Sequence, residues 1–92
     1  MEFEWDDAKN NSNIAKHGIS FEDASLVFHD PNSITQPDPD HSSEEFRFVT
    51  IGICNRHRVL VVAHTERGDR IRIISARKAT LKERKSYGQG EN

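Results

Sequence analysis

The feature that most constrains the fold is Val59-Leu60-Val61-Val62-Ala63, an unbroken apolar run in a chain that is only 34% hydrophobic. Such a run, flanked by Arg58 and His64, reads as a central strand buried on both faces. A central strand needs neighbours, and the sequence supplies one on each side. Phe46 to Cys54 alternates Phe46, Phe48, Thr50 and Gly52 with Arg47, Val49, Ile51 and Ile53. After the turn Glu66-Arg67-Gly68-Asp69, Arg70-Ile71-Arg72-Ile73 alternates again. Alternation places one residue set on each face of a strand. Three strands joined by tight turns predict an antiparallel meander.

Around the meander, Phe3 and Trp5 alternate with Glu2 and Glu4, as in a short opening strand. Asp6 is a suitable N-cap and Gly18 a suitable stop for a first helix. Ser20 with Asp23 resembles a capping box, and Phe21, Ala24, Val27 and Phe28 share one face of a second helix that Asp30-Pro31 ends. Residues 33–37 fit an edge strand limited by Pro37. Thr80 with Glu83 opens a last helix that Gly88 is expected to stop. The predicted class is α+β, with two N-terminal helices on a small antiparallel sheet and a C-terminal helix, in one domain over residues 1–92.

Charge is distributed unevenly. Residues 1–45 carry two basic and eleven acidic side chains, a net of −9, whereas residues 46–92 carry +7. The stretch 66–85 alone holds eight basic residues against three acids. Arg70 and Arg72 are expected to form a row of planar guanidinium groups suited to phosphate. Arg77 follows Ser75 on the alternate phase, near the strand end. A polyanion partner, RNA first, is one reading of this asymmetry. Internal neutralisation, with acidic segments folding over the basic strands, is the other.

Several function classes drop out. The single cysteine, Cys54, excludes an intrachain disulfide and reads as a buried thiol. No apolar run is long enough to cross a bilayer, and the acidic N-terminus has no signal-peptide character. A soluble, cytoplasmic protein is expected. The loop opening Asp38-Pro39-Asp40 lacks the glycine at its sixth position, and its twelfth falls on Val49, so it is no calcium loop. The histidines (His17, His29, His41, His57, His64) have no metal-ligand spacing. Neither a metal nor any other cofactor is expected.

The residues that could act on RNA gather around the turn 66–69. Glu66 is a candidate base, and His64, two residues upstream, or His17 a candidate acid. Arg72 and Arg77 are the first candidates for phosphate and transition-state contacts, followed by Arg67 and Arg70. Together they could take a proton from a 2′-hydroxyl, stabilise a pentacoordinate phosphate and protonate the 5′-oxygen without a metal. Glu66 and Asp69 could equally do no more than solubilise a hairpin tip. Lys16, His17 and Lys78 are candidate RNA contacts. Tyr87 could stack on a base, whereas Trp5 reads as a core anchor.

Phe3-Glu4-Trp5-Asp6, Lys16-His17-Gly18, Ser20-Phe21-Glu22-Asp23-Ala24, Asp30-Pro31, Ile51-Gly52, the run His64 to Ala79 with its Ile-Ser-Ala-Arg, Glu83-Arg84 and Tyr87 together resemble BrnT-type toxins of bacterial type II toxin–antitoxin systems. The resemblance covers nearly the whole chain. It implies a RelE-like fold and a ribonuclease that arrests translation. It also implies a BrnA-type antitoxin with a ribbon-helix-helix region, with operator DNA bound only through the toxin–antitoxin complex. It fixes no catalytic triad. A non-catalytic module that binds nucleic acid or the antitoxin is the reading from a different class.

Overall fold

The computed structural model describes residues 1–38, 46–55 and 58–89. Residues 39–45 of the loop expected over 38–45, the turn residues 56 and 57, and with them His41 and His57, lie outside the described residues. The elements follow the order β1 (Glu2–Glu4), α1 (Asp7–His17), α2 (Phe21–Ser25), a 3-10 turn (Leu26–His29), β2 (Ile34–Pro37), β3 (Arg47–Ile53), β4 (Val59–Arg67), β5 (Arg70–Lys78) and α3 (Leu81–Gln89).

The strands form one five-stranded sheet in the order β1-β5-β4-β3-β2. β3, β4 and β5 are the expected antiparallel meander, and β2 is its antiparallel edge. The sheet is mixed rather than purely antiparallel, because β1 pairs parallel with β5. Local propensity carries no information on that pairing, since some 65 residues separate the two strands. β4 is central, as its apolar run requires, with Leu60, Val61 and Val62 all buried.

Helix ends follow their local chemistry. Asp6 accepts hydrogen bonds from the N–H groups of Ala8 and Lys9 at 2.8 and 3.1 Å, and Ser20 accepts one from Asp23. Gly18 ends α1 at φ 71°, a left-handed conformation that glycine adopts without a Cβ clash. α3 opens with a reciprocal box. Thr80 accepts from the N–H of Glu83, and Glu83 accepts from the N–H of Thr80 at 2.8 Å. It runs one residue beyond the expected stop at Gly88.

One face of the sheet carries the core. Ile19, Phe21, Ala24 and Val27 cover Leu60, Val62, Ile73 and Ala76, with Phe3, Trp5, Phe28 and Ile71 packed around them. Trp5 meets Phe21 edge to face at 6.1 Å, the anchoring role expected of it. Gly52 admits the 3-10 turn onto β3. A Cβ there would lie 3.1 Å from the carbonyl oxygen and the Cβ of Val27 and from the Cβ of Ser33. Cys54 packs against this core half-buried rather than fully buried, at the end of β3.

α1 is fixed to the sheet by Asn13. Its side-chain Nδ2 donates to the carbonyl oxygens of Ile19 and Ala76, both at 2.9 Å, and its Oδ1 accepts from the N–H of Ala76 at 3.1 Å. β1 covers the outer edge of β5 only over Arg70, Ile71 and Arg72. Farther along, the Asn13 carboxamide satisfies the backbone that a longer strand would have paired.

Candidate active site on the open face

The face opposite the core holds a cleft of about 520 Å³. Its floor is apolar, formed by Val49 and Ile51 of β3 with Val61 and Ala63 of β4. Its rim carries His17, Arg47, Ser75, Arg77 and Glu83, with Gln36 to Asp38 along the β2 side. The register explains this set. Arg47, Val49 and Ile51 stand opposite Thr65, Ala63 and Val61, so both strands present the same phase. On β5, Ser75 pairs with Ala63 and Arg77 with Val61.

Arg77 reaches this face through an irregularity that simple alternation misses. Ala63 pairs with Ser75 while its neighbour His64 pairs with Ile73, which leaves Ile74 as an extra residue in β5. Such a β-bulge shifts the phase of everything beyond it. Arg72 pairs with Thr65 and Arg77 with Val61, so both point to the open face although they stand an odd number of positions, five, apart. The expectation of an alternate phase for Arg77 is therefore corrected.

Glu83 of α3 clamps Arg77. Its two carboxylate oxygens accept from Nη1 and Nη2 at 2.7 and 2.9 Å. The Arg77 hydrogen bonds hold the Glu83 carboxyl down at about 2, against burial, with the Thr80 N–H assisting. In return the hydrogen bond from Glu83 raises the pKa of Arg77 despite partial burial. The Arg77 guanidinium is thus permanently charged and held in one plane.

The other predicted residues divide between places. Arg70 and Arg72 share one face, as expected, but each is compensated by β1. Arg70 Nε lies 3.2 Å from Glu2, and Arg72 Nη1 donates to Glu4 at 2.9 Å. The parallel register makes these pairs, setting Glu2 beside Arg70 and Glu4 beside Arg72. For this row, internal neutralisation is what the fold produces. Glu66 and Arg67 are exposed at the hairpin tip. Glu66 stands five residues along β4 from the partner of Arg77, roughly 17 Å at strand spacing, too far to serve the same phosphate.

His64 is corrected outright. It lies on the core face, 2% exposed, and its Nε2 is 2.7 Å from the Thr50 hydroxyl. Phe28 meets its ring edge on at 4.8 Å and Phe48 stacks at 5.9 Å. Burial holds its pKa at about 4. The sheet itself separates it from the cleft. Tyr87 is corrected as well. It is 4% exposed, and its hydroxyl donates to Asp30 rather than offering a ring to a base. Burial pushes the Asp30 carboxyl up, but bonds from Ile53 N–H, the Tyr87 hydroxyl and Asn32 N–H outweigh it and hold it low.

Of the remaining candidates, His17 joins Arg77 at the cleft, whereas Lys16 lines a groove between α1 and β5 and Lys78 is exposed at the far end of β5. Arg47 and Glu83 were absent from the sequence-based site. The signal for Arg47 was present in its alternation with Val49 and Ile51. Among the described residues, no cluster of three or more His, Cys, Asp or Glu is arranged to hold a metal, and no helix is long and apolar enough to cross a membrane.

A mixed five-stranded sheet with one helix-covered face and, among the described residues, no helix over the other, which bears an arginine-rimmed cleft, defines a class of small α+β protein. The family model described as "Ribonuclease toxin, BrnT, of type II toxin-antitoxin system" matches residues 5–83, and the chain belongs to that family. The crystal structure of the Brucella abortus ribonuclease toxin BrnT is similar at 27% identity and a TM-score of 0.70, covering 88% of this chain and 99% of that one. No curated protein matches by sequence. As the toxin of a type II system, the chain has an antitoxin as its partner.

Proposed function

We propose that the chain is a metal-independent endoribonuclease, one RelE-like domain over residues 1–92, that inhibits translation in the cytoplasm. The observation that carries this reading is the Arg77–Glu83 clamp on the rim of an open cleft that also holds His17. The clamp leaves the Nε–H and one Nη2 hydrogen of Arg77 to donate to a phosphate oxygen. Arg47 stands at the other end of the apolar floor, where it can meet the substrate backbone. His17 is the proton partner of the 2′-hydroxyl or the leaving 5′-oxygen. Arg77 stabilises the charge that develops on phosphorus. Arg72 is a further contact along the same face, whereas Arg67, Arg70 and Glu66 at the tip stand outside the cleft. A BrnA-type ribbon-helix-helix antitoxin neutralises the toxin, and operator DNA is bound only through their complex.

The test is incubation of the pure chain with unstructured RNA in EDTA, followed by end-group analysis. Fragments ending in 2′,3′-cyclic phosphate, lost in Arg77→Ala and strongly reduced in His17→Ala, are expected. No cleavage of free RNA or of messenger on translating ribosomes would overturn the reading and leave a non-catalytic binding module.

A further inference from the structure

We propose that a second groove, lined by Arg58, Lys78 and Arg84, anchors a phosphate of single-stranded RNA outside the cleft. The direction of the strand rests on the cleft being the cleavage site; the anchor itself does not. The groove is about 230 Å³, and its floor is Val59 and Ala79, tied by a 2.9 Å hydrogen bond from Ala79 N–H to the Val59 carbonyl.

Its placement follows from two pairs of consecutive residues. Arg77 and Lys78 are neighbours on β5 and so point to opposite faces. Glu83 and Arg84 are neighbours on α3, about 100° apart around its axis. Arg77 and Glu83 meet on the cleft side. Lys78 and Arg84 meet on the other side, in the groove. The β5–α3 junction is thus a narrow divider with a cationic group on each flank. An RNA strand crossing it can set one phosphate on Arg77 and another between Lys78 and Arg84.

Charge compensation points the same way. Arg70, Arg72 and Arg77 each lie against a glutamate. Arg58 is paired with Asp23 at 3.1 Å, which fixes its guanidinium at the groove wall. Among the described residues, Lys78 and Arg84 have no acidic partner within 4.0 Å. The positive potential that the sequence concentrates in 66–85 is therefore least compensated at the far end of β5 and on α3, rather than along the arginine row. Two flexible cations facing one fixed guanidinium suit a tetrahedral dianionic or monoanionic phosphate.

The experiment is fluorescence anisotropy of the full chain with a labelled, 2′-O-methylated single-stranded RNA, which 2′-hydroxyl attack cannot cut. It reads binding whether or not the chain cleaves RNA. Lys78→Gln/Arg84→Gln is compared across salt with Lys82→Gln/Lys85→Gln, which removes the same charge from elsewhere on α3. The groove variant is expected to bind roughly tenfold more weakly at low salt and to lose about 0.7 from the slope of log affinity against log salt, the value for one single-strand phosphate. The control pair is expected to show a smaller loss. Equal losses in both pairs would mean a diffuse field and overturn the proposal. So would unchanged RNA affinity, including the case where the groove variant weakens binding only to an acidic polypeptide.

Discussion

Asn13 and Ala76, 63 residues apart, form a two-point contact in which one carboxamide serves both the N–H and the C=O of a β5 residue. The contact docks α1 against the strand that carries Arg77. It also leaves His17, one turn farther along α1, at the edge of the cleft. Asn13→Leu removes three hydrogen bonds and strands a buried N–H and two buried carbonyls. A loss of about 3 kcal/mol is expected, since each unsatisfied buried group costs ~1–3 kcal/mol. Equilibrium urea unfolding measures it, and a loss below about 1 kcal/mol would show the contact to be dispensable.

His64 makes the fold sensitive to mild acid. Its folded pKa of about 4 lies below the ordinary 6.5. The unfolded chain therefore gains a proton between those values while the folded chain does not, so stability falls as pH drops from 6.5 to 4. The contribution is at most roughly 3 kcal/mol over that window. Denaturant unfolding at successive pH values should show this decline, and His64→Gln should flatten it. A stability curve that is level from pH 7 to 4 in the parent chain would contradict the buried, uncharged imidazole.

The arginines are expected to separate by partner. Arg77→Ala should lower RNA cleavage at least about a hundredfold, as for loss of a group that stabilises developing charge, and should relieve growth arrest. Arg70→Ala, which removes a side chain already committed to Glu2 at the exposed tip, should change cleavage by no more than about threefold. Single-turnover rates on one RNA compare them directly, and equal losses would move the site back to the strand row.

Tyr87→Phe separates packing from recognition. The ring stays buried and the hydroxyl bond to Asp30 is lost, so about 1–2 kcal/mol of stability should go while RNA affinity stays the same. A drop in RNA affinity without loss of stability would return Tyr87 to the surface role expected from its place near the chain end.

What could be read from the sequence is what local chemistry decides. Asp6, Gly18, Ser20, and Thr80 with Glu83 mark helix ends within a few residues of themselves, and the Val59–Ala63 run identifies its strand as central. What could not be read depends on distant pairing. Nothing near Arg70 or Arg72 announces that Glu2 and Glu4 will lie beside them, and nothing near Ala76 announces Asn13. Glu66 two residues later makes His64 look reactive, yet His64 lies under Phe28 and Phe48 while Glu66 is exposed near the end of β4, paired with Ile71. Strict alternation has no place for Ile74 and so assigns Arg77 to the wrong face.

That extra residue gives the strand an unusual dependence on how it is paired. Substituting Ile74 changes a side chain, whereas drawing Ile74 into the ladder as an ordinary paired residue would carry strict alternation from Arg70 to the strand end. Ser75 and Arg77 would then turn inward and Ala76 outward, separating Arg77 from Glu83 without altering either residue. The chemistry of the open face is thus set by which residue of β5 is left out of the ladder as well as by which residues are in it. In this strand, the omission is part of the active-site code.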